Sequence, residues 1–179
     1  QHSVTFPASC LLVAALNPCP CGYFGDKKKS CSCSSTQINT YLEKLSGPLL
    51  DRIDLQITVQ PVDYETIINK QTAVVSSAKL YEKVSKAVEK QRARFTEPTM
   101  WNAYMSPEDI KKHCVVSDEA QGLVKMIFEK LNLSMRGYHK LLKVARTIAD
   151  LEESETIEKV HVQEAIMYRS VDYLLERKQ

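Results

Sequence analysis

Glycine is scarce in this chain. It occurs only at Gly22, Gly25, Gly47, Gly122 and Gly137, and none of these sits in a G-x-x-x-x-G-K run, so the residues present contain no phosphate loop. Nor does any apolar strand end in the paired acids that hold magnesium beside such a loop. No run approaches the roughly eighteen apolar residues of a membrane-spanning helix. Charge of one sign is also in short supply: the net value of +2 is too small to argue nucleic-acid binding by itself. His113 and His139 have no partners at ligand spacing, and no Ser/His/Asp or Cys/His set points to covalent catalysis. The first residue is Gln1 rather than methionine, and an apolar stretch begins almost at once, so a segment of a longer protein is expected.

What is present is ordinary in bulk and unusual in one loop. An apolar content of 44% with 26% charged residues suits a soluble globular protein. Four of the six cysteines, Cys19, Cys21, Cys31 and Cys33, form a C-x-C, nine-residue, C-x-C cluster, while Cys10 and Cys114 stand apart. Disulfide scaffolds spread their cysteines through a small loop-rich chain; tight pairing in one loop favours a metal clip in a reducing compartment, so a cytoplasmic setting is expected. Thiolates are the favoured ligands of structural Zn2+, and four of them can close a tetrahedron. Pro18 and Pro20 stiffen the first pair, and Gly22 and Gly25 permit the chain to reverse. The spacing departs from the common C-x2-C knuckle, and free thiols or a disulfide pair are the alternatives. Lys27, Lys28 and Lys29 sit at the tip of the loop, either as a solvated turn or as point charges against nucleic-acid phosphates.

Around this loop the hydrophobic pattern predicts a mainly α chain with a small α/β portion. Leu11–Leu16 is a continuous apolar run, expected as a strand covered on both faces and stopped by Asn17-Pro18. A short helix is expected over Thr36–Leu45, broken by Gly47-Pro48, and an alternating strand over Leu55–Val59. From Ser76 the period becomes helical. Leu80, Val84, Ala87, Val88, Gln91 and Phe95 share a stripe, and Ser106-Pro107 is a helix start. Further helices are predicted over Ser117–Leu131 and Ser134–Leu151, with a last one marked by Val162, Ala165, Ile166, Arg169 and Tyr173. The expected organisation is an α/β portion over 1–62, a linker over 63–75 and a helical domain over 76–179. Phe95, Trp101 and Tyr104 read as packing residues between linker and helices, with base stacking the alternative. Cys114 reads as a small core residue.

Asn17 ends the apolar run where α/β sheets bind ligands, although Asn-Pro also simply begins a turn. Three stretches in order, FPASCLLVAALNPCPCGYFGD, SGPLLDRIDL and SMRGYHKLLKVARTIADL, resemble the magnesium-chelatase-like AAA+ ATPases of the ComM/YifB type over essentially the whole chain. The resemblance implies the later part of an AAA+ core followed by a helical lid. Asn17 would be the sensor-1 residue that orients the attacking water, and Arg52 an arginine finger offered to the neighbouring subunit. Arg136 would be the sensor-2 residue reaching the γ-phosphate of its own subunit. Local readings remain beside these: a surface ion pair for Arg52 between Asp51 and Asp54, and Arg146 as a competitor for the role of Arg136. The resemblance further implies ATP and Mg2+ as cofactors, a homo-oligomeric ring, hexameric when complete, no membrane, and DNA remodelling of the branch-migration kind during recombination of incoming DNA. A motor subunit for magnesium insertion into a porphyrin, or a non-enzymatic zinc-clipped helical interaction domain, are the rival functions. These residues alone are expected to be inactive, since the phosphate cradle is not among them.

Overall fold

The computed structural model describes residues 3–4, 6, 10–26, 28–45, 47–62, 64, 68 and 75–169. Lys27, most of the expected linker and Tyr173 therefore lie outside the described residues. The chain divides into two compact units, Gln1–Leu45 and Ser46–Gln179, and each is considered by itself.

In the first unit the apolar run forms neither helix nor strand and is not covered. Leu11 is 91% exposed and Val13 83%, and no described residue pairs with Leu11–Leu16 in a ladder. The expectation of a strand buried on both faces is not met, because a strand is buried only by neighbours that hydrogen-bond beside it and pack across it. After the cysteine loop comes helix α1, Ser35–Leu42. Ser34 starts it with a capping box: its hydroxyl accepts from the Gln37 amide at 3.3 Å, and the Gln37 side chain accepts from the Ser34 amide at 2.9 Å. Leu42 is the residue it buries.

The second unit is helical. A short turn of helix, α2, Gly47–Leu50, leads into the Asp51–Asp54 turn. The long helix α3, Ser77–Arg94, is capped by Ser76, whose hydroxyl accepts from Lys79 N–H at 3.3 Å. The stripe predicted for α3 is used only in its second half: Ala87 and Gln91 are buried, while Leu80 and Val84 remain about half exposed. A 3-10 turn, Asn102–Tyr104, precedes α4, Pro107–His113, which has the predicted Ser106 cap and first-turn proline. Two further helices follow, α5 over Asp118–Lys130 and α6 over Met135–Leu151, and α7 spans Lys159–Met167.

Helix α6 is the centre of this unit. Helices α3, α4 and α7 and the 3-10 turn pack on it, and α5 packs on α7. Its inward residues, Leu141, Leu142, Ala145, Ile148 and Ala149, are buried at the i, i+4, i+7 spacing that one helix face requires. They join Val124, Ile127, Ile157 and Val162 in a single core, each large side chain contributing about 1.5–3 kcal/mol by leaving water. Cys114 belongs to this core as expected, and burial pushes its thiol up to about 11. Two isolated parallel bridges tie the loops down, Val116 to Ile157 and Gln56 to Arg169. The second is what the structure makes of the alternating Leu55–Val59 segment: an isolated bridge at Gln56, whose amide donates to Tyr168 O at 2.7 Å.

A buried polar cluster also sits in the core. Asp150, fully buried, accepts from Arg94 Nη1 at 2.7 Å, from Asn102 Nδ2 at 2.8 Å and from Arg146 Nε at 3.1 Å. Arg146 spends its remaining donors on Glu155 O at 2.7 Å and Ser154 O at 2.5 Å. Every charge in this cluster is paired, the condition under which buried ions are tolerated.

Candidate functional site

In the first unit the cysteine loop folds into a thiol cluster. Gly22, at φ +84°, occupies the left-handed region that glycine adopts freely, and its amide closes a turn onto Cys19 O at 3.0 Å. Gly25, also at φ +84°, makes the second reversal. These turns bring Cys19 Sγ to 3.4 Å from Cys21 Sγ and 3.7 Å from Cys31 Sγ, with Cys21 and Cys31 at 3.5 Å. Together with Cys33 the four sulfurs lie within 4.8 Å of one another. A tetrahedral ion with metal–sulfur bonds of about 2.3 Å has sulfur–sulfur edges of about 3.8 Å, so the cluster has the size such an ion requires. The four-cysteine loop can therefore hold a metal ion. The thiols are not equivalent. The Tyr23 amide, helped by the Ser32 amide and the thiols of Cys19 and Cys33, draws Cys21 down to about 5 against the opposing effect of burial. Cys31 has the Cys33 amide pulling it down, but burial and the thiols of Cys21, Cys19 and Cys33 prevail and push it up to about 12.

Asn17 stands exposed at the base of this loop; a Cβ placed on Gly22 would lie 3.9 Å from its side-chain amide. At the loop tip, Asp26 accepts from the amides of Lys28 at 2.6 Å and Lys29 at 3.1 Å, which fixes the turn. The Lys29 ammonium lies 3.9 Å above the Tyr23 ring, a cation–π contact that ties it to the loop's own body.

In the second unit, Arg52 and Arg136 line one open cavity of about 490 Å3, together with His139, Lys140 and Lys143. Met105, Pro107, Ile110 and Met135 supply its apolar wall. The Arg52 turn is fastened to the helices on both sides. Asp51 accepts from Ser134 Oγ at 2.9 Å and from Arg169 Nη2 at 3.1 Å, and Asp54 pairs with Lys140 at 2.8 Å. Ser134 is also the N-cap of α6, accepting from Gly137 N–H at 3.0 Å, so one hydroxyl anchors the Arg52 turn and begins the helix that carries Arg136. Arg146, on that same helix, is 1% exposed and engaged inside the core; it does not line the cavity.

Two features escaped the sequence reading. His139, for which the sequence offered no partner at ligand spacing, lines the cavity, and Lys140 and Lys143 were not singled out at all. The signal was available: Arg136, Lys140 and Lys143 are spaced i, i+4, i+7 and must share a helix face. Trp101 is half-buried with the Arg92 guanidinium 5.9 Å from its ring, and Phe95 packs on the core, edge-on to His113 at 5.5 Å.

Comparison with known proteins places these units in one family. Residues 1–67 match the profile described as magnesium chelatase, subunit ChlI, and residues 74–169 match magnesium chelatase, subunit ChlI C-terminal. Over 97% of its length the chain is 39% identical to the competence protein ComM of Haemophilus influenzae, covering 33% of that protein. It is 38% identical over 98% of its length to the uncharacterised protein YifB of Escherichia coli, covering 34% of it. An uncharacterised protein of Mycobacterium tuberculosis is 30% identical over 82% of the chain and 28% of its own length. The chain thus spans about a third of the length of the curated relatives it matches. No helix among the described residues is long and apolar enough to cross a membrane. By both profile matches and near-complete coverage of the chain by these relatives, it belongs to the magnesium-chelatase-like family, in the ComM/YifB type.

Proposed function

We propose that this chain supplies the sensor, finger and lid portions of a ring-forming AAA+ ATPase that remodels DNA. The observation that carries the reading is the shared cavity: Arg52 and Arg136 line it together, while Arg146 is consumed by internal hydrogen bonds. Two guanidiniums in one cavity are suited to a single phosphate chain, which they contact through forked N–H donors. Arg52 would be offered across a subunit boundary, neutralising charge that develops during phosphoryl transfer. Because it lines the same cavity, Arg136 would reach that same triphosphate, whereas the family resemblance implies the γ-phosphate of its own subunit. Asn17 would orient the attacking water in the first unit's own nucleotide site. ATP with Mg2+ supplies the bond to be broken. These 179 residues contain no G-x-x-x-x-G-K, so they do not hydrolyse ATP by themselves.

The four cysteines would hold Zn2+ as a structural clip that fixes the loop bearing Lys27, Lys28 and Lys29, and these lysines would contact DNA phosphates without reading sequence. Purified chain should carry close to one equivalent of zinc, and a chelator should lower its melting temperature. Less than half an equivalent, or a chelator without effect, would remove the clip from this account.

The domain boundaries proposed are 1–62, 63–75 and 76–179. Cytoplasmic DNA work fits the name of the ComM relative, a competence protein, and recombination of incoming DNA is the process proposed. A second reading is favoured by the match to the magnesium chelatase ChlI family: a motor subunit for magnesium insertion into a porphyrin. The two are separated with a protein of the relatives' full length. ATPase stimulation by forked DNA supports the first reading; stimulation by a chelatase partner, with no response to DNA, replaces it with the second.

A further inference from the structure

The cavity that holds Arg52 and Arg136 contains more positive charge than two phosphate ligands require. Below Arg136, α6 presents Lys140 one turn on and Lys143 a further turn on, and both line the same space. Lys143 is half-buried. Its ammonium spends one N–H on Ala103 O at 3.0 Å, and an ammonium has three to give. Burial holds Lys143 below its ordinary value, with the charge of Asp54 acting against that effect; a cation so placed gains from the arrival of an anion. Lys140, with its side chain 17% exposed, is paired with Asp54, whose own side chain is 65% exposed and free to swing into water. Arg52, Arg136, Lys140 and Lys143 thus bring four side-chain cations to the cavity, and Asp54 pairs with Lys140. The volume of about 490 Å3 is far larger than one phosphate requires.

We propose that Lys140 and Lys143 are inner phosphate-binding residues of this cavity, so that it takes a linear chain of three phosphates, with Arg52 and Arg136 at one end and the two lysines at the other. The inference rests on reading the arginines as phosphate ligands and extends that reading to two residues with no assigned role. It also gives Asp54 a task, as the carboxylate that occupies Lys140 until a phosphate displaces it.

The test is calorimetric titration of the 179-residue chain, at low salt, with inorganic phosphate, pyrophosphate and tripolyphosphate. Affinity should rise with chain length, with tripolyphosphate about tenfold or more tighter than phosphate. Lys143→Ala should weaken tripolyphosphate roughly five- to tenfold and leave phosphate nearly unchanged, while Lys143→Arg retains most of the binding. Asp54→Asn should tighten tripolyphosphate a few-fold by releasing Lys140. Circular dichroism melts of each variant show that the fold is intact, and Lys140→Ala provides a second deletion that leaves the Ala103 contact in place. If Arg52→Ala and Arg136→Ala weaken binding but both lysine variants do not, the inference is wrong and the arginine reading stands. If tripolyphosphate fails to bind, or no variant changes it, both fall. Tighter binding of a short DNA duplex with the same dependence on Lys140 and Lys143 would assign the cavity to nucleic-acid phosphates and overturn the triphosphate proposal.

Discussion

Asp150 is a fully buried carboxylate paired with the guanidiniums of Arg94 and Arg146, and its neighbours show what sequence can and cannot reveal about single residues. Arg136 and Arg146 sit ten residues apart on one helix; at 100° per residue their side chains point about 80° apart, so only one can face the cavity. The sequence left the choice between them open. The clue was Asp150, at i+4 from Arg146, an ion-pair spacing. What could not be read is that Arg94 and Asn102, from distant positions, converge on the same carboxylate. Removing that carboxylate leaves Arg146 buried and uncompensated, so Asp150→Ala should cost about 3–5 kcal/mol by urea denaturation. The pH dependence has a definite sign. Burial alone would raise the Asp150 carboxyl, but hydrogen bonds from Arg94 and Asn102 and the charge of Arg146 outweigh it and hold it below the usual range. A carboxyl depressed in the folded state contributes stability that is present above its unfolded value, about 3.9, and is lost as pH falls through the folded one. The urea midpoint should therefore drop below about pH 4, and Asp150→Asn should remove part of that drop.

Among the elements, the helices were legible because periodicity and caps are local. Ser106-Pro107 and the Ser134–Leu151 stripe were predicted and are found with boundaries shifted by a residue. The α3 stripe was over-read, since a sequence shows which residues share a face but not how fully anything covers it; Leu80 and Val84 remain about half exposed. The caps separate into two kinds. Ser134 accepts from Gly137 N–H and donates to Asp51, whereas Ser117, at the same position of α5, makes no side-chain cap bond and its buried hydroxyl has no partner among the described residues. Ser134→Ala should cost about 1 kcal/mol or more, and Ser117→Ala close to nothing. Equal losses in thermal melts of the two variants would contradict this assignment of their hydroxyls.

At the scale of the molecule, strands were where sequence reasoning fell short, for a physical reason: a strand's partner lies elsewhere in the chain or in another chain. The composition of Leu11–Leu16 is that of a covered strand, yet the structure leaves it without secondary structure and exposed. Exposed apolar backbone with unpaired N–H and C=O groups tends to recruit another edge. Light scattering should thus show self-association of the 179-residue chain as concentration rises, abolished by charged substitutions such as Val13→Lys; a concentration-independent monomer would contradict this. The thiol cluster was legible in full from spacing, because all four cysteines fall within one short loop. The convergence of Arg52 with Arg136 was not legible from spacing, since it depends on Ser134, Arg169 and Lys140 fastening the Arg52 turn to α6 and the end of α7.

The proposed role of Arg52, meeting the triphosphate during hydrolysis, is the one most directly open to measurement. In a protein of the relatives' full length, steady-state ATPase measurement of Arg52→Ala should show kcat reduced by about 10³-fold or more with KM little changed, as for fingers in phosphoryl transfer generally. A kcat equal to that of the unaltered protein would show that the shared cavity takes no part in the reaction.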